Sequence, residues 1–219
     1  MGPIFEILPQ LLRGLSVTLS VLIAAVLIAY LVAFITGFAK LSKNKTVFRV
    51  TTAFVEFFRG TSLIVQLFWL YYAIPMLLGI QLGSNWWAGV IAIGLNYGAY
   101  MSEVVRTSIL AIDKGQDEAG TALNFSKYKK MRYIILPQAI KMMIPDFGSY
   151  TIQIMKATPL VSLIGLRDIL YYGDILRNTN LSLSPLIYLI ILLIYFVIAL
   201  PIIYITKKTE VLAKKGVAN

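Results

Sequence analysis

The chain has 219 residues, of which 58% are apolar and only 14% charged; a soluble domain carries about 25% charged residues, so it reads as a membrane protein. Its formal net charge of +10 argues for no nucleic-acid partner, because the basic residues flank apolar runs instead of forming one continuous face. With no Cys and no His, thiolate and imidazole chemistry and the zinc or haem sites built on them are excluded.

Residues 1–13 contain PIFEILPQLL, too short and too broken by proline to cross a bilayer. They read as an interfacial segment on the outer face. No basic residue precedes Arg13, and the apolar run that follows is too long for a signal h-region, so no cleaved signal peptide is expected. Gly14 to Ala39 is free of charge, and a span needs about 20 apolar residues, which predicts a first transmembrane helix over 15–38. Lys40, Lys43, Lys45 and Arg49 then form a cytoplasmic loop by the positive-inside rule. Glu56 and Arg59 can pair on one helix face as an interfacial anchor.

Gly60 to Ser102 carries no charge and is long enough for two spans, near 58–78 and 87–110. Gly79, Gly83, Ser84 and Asn85 supply the turn between them. Pro75 should distort the end of the second span. Trp69, Tyr71, Tyr72, Trp86 and Trp87 read as an aromatic belt near the outer surface. Residues 115–137, GQDEAGTALNFSKYKKMRYIILP, belong to the longest polar interruption in the chain. Asp113, Asp117 and Glu118 come early in it and Lys127, Lys129, Lys130 and Arg132 late, which suits a helix macrodipole. Small residues at Ala119, Gly120 and Ala122 allow close approach of a partner, and Pro137 should close the segment. It reads as a short cytoplasmic docking helix.

The fourth expected span, 142–166, holds Pro145, Asp146, Gln153, Lys156 and Pro159; polar groups at membrane depth survive only facing protein or a cavity. Pro159 should unwind the helix and free the carbonyl of Met155. Residues 167–183 lie outside, 184–206 form the fifth span, and 207–219 make a basic cytoplasmic tail. Five spans put the N-terminus outside and the C-terminus inside, with every basic-rich loop on one side.

The candidate substrate path has two centres. Glu103 and Arg106 share one helix face; they line the path or form a structural pair near the cytoplasmic boundary. Lys156 with Thr158 either attracts a carboxylate at the unwound helix or snorkels to the interface. Tyr100, Tyr150, Gln153 and Ser162 would complete the pocket, and Asp146 reads as a cap or gate element. No GxxxxGK[ST] loop is present, and no nucleophile is paired with a base. No catalytic residue, metal ligand or cofactor is therefore expected on this chain.

The segment from Glu118 resembles the EAA loop of ABC importer permeases: Glu118 and Ala119 match it, and Ile134, Leu136 and Pro137 fall at its spacing. Gly120 stands where a second Ala is usual and Asn124 where Gly is usual; Asn tolerates the left-handed backbone a turn needs there. The stretches EFFRGTSLIVQLFWLYY, LNYGAYMSEVVRTSI and MKATPLVSLIGLRDIL resemble the polar amino-acid permease family (the histidine, glutamine, arginine and opine group). The resemblance implies an all-α polytopic membrane protein of the type I ABC importer permease class, MetI-like, in a bacterial inner membrane. It implies an ABC ATPase dimer holding ATP and Mg on separate subunits, a second permease subunit, identical or related, and an extracytoplasmic solute-binding protein. The ATPase-coupling residues would be Gly115, Glu118, Ala119, Gly120, Asn124 and Pro137. Permeases for ectoine-type compatible solutes share the loop variant and remain an alternative cargo class. An ion-coupled transporter or channel should show intramembrane acid chains or inverted repeats, and a membrane-embedded enzyme should show bases or metal ligands; neither is visible.

Overall fold

The computed structural model describes residues 3–79 and 83–215; 1–2 of the opening segment, 80–82 of the turn after the second expected span, and 216–219 of the tail lie outside the described residues. Every regular element among the described residues is helical. Helix α1 (Pro3–Leu12) precedes α2 (Leu15–Ala39), the first long apolar helix. Ala25, Ala29, Ala33 and Gly37 recur every fourth residue on the buried face of α2, while Ile23, Leu27, Leu31 and Ile35 are exposed. The buried stripe packs on α6 (Asn85–Leu110), whose Gly94 and Gly98 face Ile28 and Val32 so closely that a Cβ would sit 2.6 and 2.7 Å from them. Small residues let the two backbones approach, the usual solution where apolar burial gives no driving force between helices.

Between them, α3 (Lys45–Gly60) starts at Asn44, whose side chain accepts from the Thr46 amide at 2.9 Å. The chain then turns by 106° into α4 (Leu63–Phe68), a π turn over Trp69–Ala73, and α5 (Ile74–Leu78). The sequence expectation of one span over 58–78 is corrected here: residues 58–60 end α3, and Thr61 and Ser62 are extended. The cause is a competing set of acceptors. The last carbonyls of a helix have no partner within it, and those of α3 are taken by side chains from other helices. Phe58 O accepts from Gln66 Nε2 and Asn96 Nδ2, each at 2.9 Å, and Arg59 O accepts from the Tyr100 hydroxyl at 2.9 Å.

Asp113 caps α7 (Lys114–Ala122), accepting from the Gly115 amide at 2.6 Å. The helix ends in a Schellman motif, with Asn124 N donating to Thr121 O and Phe125 N to Gly120 O, both at 2.9 Å. Asn124 has φ 57°, the left-handed backbone anticipated for it. From α8 (Lys127–Lys130) a π turn (Met131–Ile135) leads without a break into α9 (Leu136–Ala157). Pro137 therefore does not close the polar segment, as the sequence suggests; the helix runs through it. In an α-helix its ring would meet the carbonyl of Tyr133, and the wider π turn just before it relieves that clash. Pro75 follows the π turn of α4–α5 in the same way. After α9 come a 3-10 turn (Thr158–Ile164), α10 (Ile169–Thr179), a 3-10 turn (Leu181–Leu183) and α11 (Ser184–Lys215).

Two cores result. The larger joins α2, α6, α9 and α11 around Leu22, Ile93, Met101 and Met155; the smaller pins α1 to α10 and α11 through Ile7, Leu11, Ile169 and Ile187. Among the described residues, Leu15–Ala39 and Leu181–Leu212 are long and apolar enough to cross a membrane, and α3 with α4–α5 passes only as a bent pair. Helices α6 and α9 carry the polar residues that make the site.

Candidate functional site

A polar cleft of about 430 Å³ opens where the α3–α4 bend meets α6 and α9, within the range of small-molecule sites. Thr61 and Ser62 line it from the bend, Asn96, Tyr97 and Tyr100 from α6, and Tyr150 and Gln153 from α9. The rings of Tyr100 and Tyr150 stack at 6.3 Å. Asn96 and Gln66, 5% and 6% exposed, fix the wall: Asn96 Nδ2 reaches Gln66 Oε1 at 3.2 Å, and Gln66 Nε2 reaches Thr61 Oγ1 at 2.6 Å. Three sequence candidates, Tyr100, Tyr150 and Gln153, thus meet in one cleft.

Arg59 was not among those candidates. Its guanidinium lies 5.5 Å over the Tyr100 ring, its Nη1 is 3.4 Å from Glu56 Oε1, and its Nε is buried with no hydrogen-bond partner among the described residues. A buried, unpaired donor of a charged group is costly. The signal in the sequence was an ion pair set at the mouth of a charge-free run.

The remaining candidates lie elsewhere. Glu103 pairs with Lys40 and, at 2.9 Å, with Arg106; Lys40 also approaches Glu56 at 3.9 Å. Lys40 is 8% exposed, so this cluster joins the ends of α2, α3 and α6 and does not line the cleft. The Met155 carbonyl is not freed by Pro159, because Thr158 Oγ1 donates to it at 2.9 Å and the Thr158 amide donates as well. Thr158 is fully buried, Ser162 donates to Pro159 O at 2.8 Å, and Lys156 stands exposed one turn beyond Gln153 on α9.

On the far side of α6, α7 is exposed along its length except at Gly120. Gly115 contributes its amide to the cap, Ala119 is exposed, and Glu118 has no ion pair or hydrogen bond among the described residues. Leu123, Tyr128 and Tyr133 are also exposed beside it. Outside both sites, Asp168 is buried at the start of α10, where it accepts from the Tyr171 amide at 2.9 Å and the Tyr195 hydroxyl at 3.4 Å. Burial pushes its carboxyl up to about 6.

The described residues form an all-helical bundle with a polar cleft against α6 and α9 and a separate, exposed α7. Comparison with known proteins shows the family. Residues 25–207 match the family described as binding-protein-dependent transport system inner membrane component, and the chain belongs to that family. It is 42% identical over 202 residues to a probable amino-acid ABC transporter permease of Sinorhizobium fredii, covering 90% of this chain and 84% of that one. It is 36% identical over 210 residues to an arginine transport system permease of Bacillus subtilis, covering 93% and 92%. A glutamine transport system permease of Escherichia coli is 31% identical over 207 residues, covering 94% of each. Among solved structures, an amino acid ABC transporter crystallised with histidines superposes with a TM-score of 0.86 at 34% identity, covering 94% of this chain and 95% of that one. The methionine ABC transporter in an inward-facing form shares the fold, with a TM-score of 0.72 at 16% identity over 95% and 99%. The protein is thus an all-α inner-membrane permease subunit of the ABC importer class, and the comparisons give no support to the ion-coupled transporter or channel.

Proposed function

We propose that the chain forms one half of the path for a polar amino acid in an ATP-driven importer. A second permease subunit, identical or related, forms the other half. An ABC ATPase dimer, which alone holds ATP and Mg, docks on α7, and an extracytoplasmic solute-binding protein delivers the cargo to the opposite face. The chain crosses the membrane five times, with its N-terminus outside and α7 and the tail inside. The relatives' cargoes, arginine and glutamine, and the histidines of the solved transporter support an amino acid over an ectoine-type solute.

The observation that carries this reading is the buried, unpaired Arg59 Nε beside the stacked tyrosines of the cleft. A guanidinium with a free donor reads a carboxylate. Tyr97, Tyr150 and Gln153 line the cleft and offer polar groups to the rest of the solute. Asp146, one turn before Tyr150 on α9, and Lys156, beyond Gln153, lie along the route. Glu103 and Arg106 serve the path only by holding α6 to α2.

The test is uptake by proteoliposomes containing this permease, its ATPase and the binding protein. Arg59→Gln is expected to lower amino-acid uptake about tenfold, the loss of roughly 1.4 kcal/mol of carboxylate recognition, while the ATPase still co-purifies. Glu118→Lys is expected to abolish ATP-driven uptake with the protein still inserted. Unaltered uptake in Arg59→Gln removes the cleft from the path; solute conduction by the purified chain alone removes the whole reading.

A further inference from the structure

We propose that Lys130 is a positioning residue that sets the angle of α7 for coupling, acting through Asp117 across Gly120; this rests on the reading of α7 as the ATPase-docking helix. The Lys130 ammonium donates to three acceptors on α7: Asp117 Oδ1 at 2.6 Å, Thr121 Oγ1 at 3.1 Å and Asp117 O at 3.4 Å. Three donors on a compact head are what lysine supplies. The Lys130 side chain is 12% exposed and the Asp117 side chain 55%, so the contact is half solvated and its strength comes from the three acceptors gathered on one head. Gly120 makes the crossing possible, because a Cβ there would stand 2.9 Å from Lys130 Cγ and Cδ and from Ile134 Cδ1.

The arrangement matters because α7 is otherwise weakly attached. It packs on α8 and the π turn, and among the described residues its other side-chain tie is one amide pair to α9, Gln138 Nε2 to Gln116 Oε1 at 3.2 Å. The Asn124 turn at its far end is a single left-handed residue. A push on α7 therefore reaches α9 through the Lys130 contact, the Ile134 side chain lying on Gly120 and the Gln116–Gln138 pair. Glu118, on the exposed surface, is left free for the partner.

The experiment measures solute moved per ATP hydrolysed in the full complex reconstituted with ATPase and binding protein. The variants are Asp117→Lys, Lys130→Asp, the double exchange, and Lys130→Gln as a milder change. Spin labels at Ala122 and Tyr133 report the distance from α7 to the π turn that leads into α9. Each single variant is expected to lower the transport-to-hydrolysis ratio about fivefold, with the ATPase still co-purifying and the label distance broadened. The double exchange is expected to restore both. Single variants that keep the ratio overturn the proposal. So does a double exchange that restores the distance but not the ratio, since Asp117 or Lys130 then touches the partner directly. Failure of the ATPase to co-purify with the unmodified permease overturns the docking reading itself.

Discussion

The α3–α4 bend depends on the buried amide pair Asn96–Gln66, and removing both members should cost less than the two single losses added together. In Asn96→Leu, Gln66 Oε1 loses its 3.2 Å donor and Phe58 O keeps only the Gln66 amide. An acceptor left unpaired at 6% exposure costs about 1–3 kcal/mol. For a chain of this length that lowers the melting temperature by roughly 2–4 °C per kcal/mol, so a fall of about 4–8 °C is expected at 2 kcal/mol. Replacing Gln66 as well removes the orphaned Oε1, the more deeply buried acceptor, and leaves Phe58 O as the one still without a side-chain donor. The double variant Gln66→Leu with Asn96→Leu should then lose less than the sum of the single losses, by at least about 1 kcal/mol. The assay is thermal unfolding in detergent followed by tryptophan fluorescence, with chemical denaturation to convert shifts to free energies. Additivity to within about 0.5 kcal/mol refutes the reasoning, since it would mean that the two amides do not hold the bend together.

Gly14→Ala should fail to fold, because the new Cβ would lie 2.2 Å from the Asp168 carbonyl carbon and 2.4 Å from the Ile169 amide nitrogen; normal yield and elution of the variant would contradict the packing of the start of α2 on the start of α10. Glu103→Gln should lower stability by about 3 kcal/mol, leaving the buried Lys40 without its main carboxylate, and any variant that does assemble should keep its cargo preference in competition uptake. Asp168 gains a proton on folding between its ordinary carboxylate range and about 6. Its contribution to stability is thus fullest at acid pH, fades as pH rises through about 6, and is gone above it. Asp168→Asn keeps a capping acceptor without the charge, so its melting temperature should gain on the unmodified protein between pH 5 and pH 8. A difference that is constant with pH excludes a buried, titrating carboxyl.

The sequence showed most plainly what composition and charge-free length dictate. Helix α2 lies where a run without charge required it, and the left-handed Asn124 follows from residue chemistry alone. The bend at Thr61–Ser62 was hidden because its cause is nonlocal: Asn96 and Tyr100 reach back from α6 to the end of α3. Pro137 misled for the same kind of reason, since a π turn can absorb a proline that local rules read as a stop. In the cleft, Tyr100, Tyr150 and Gln153 were visible as polar groups at membrane depth. Arg59 was not, because an adjacent Glu56 offered it a sufficient local partner. Glu103 was ambiguous until Lys40, distant in the chain, filled its second oxygen.

The unbroken helix from Lys127 to Ala157 has an evolutionary consequence. Lys130 and Tyr150 stand about 30 Å apart along one continuous helix at roughly 1.5 Å per residue. Selection for a new cargo at Tyr150 or Gln153 acts on the same helix as selection for a new energy source at its foot. A lineage cannot exchange one property cheaply while holding the other still. Cargo range in such permeases is therefore expected to diversify first at Thr61, Ser62 and Tyr97, the parts of the cleft wall that this helix does not carry.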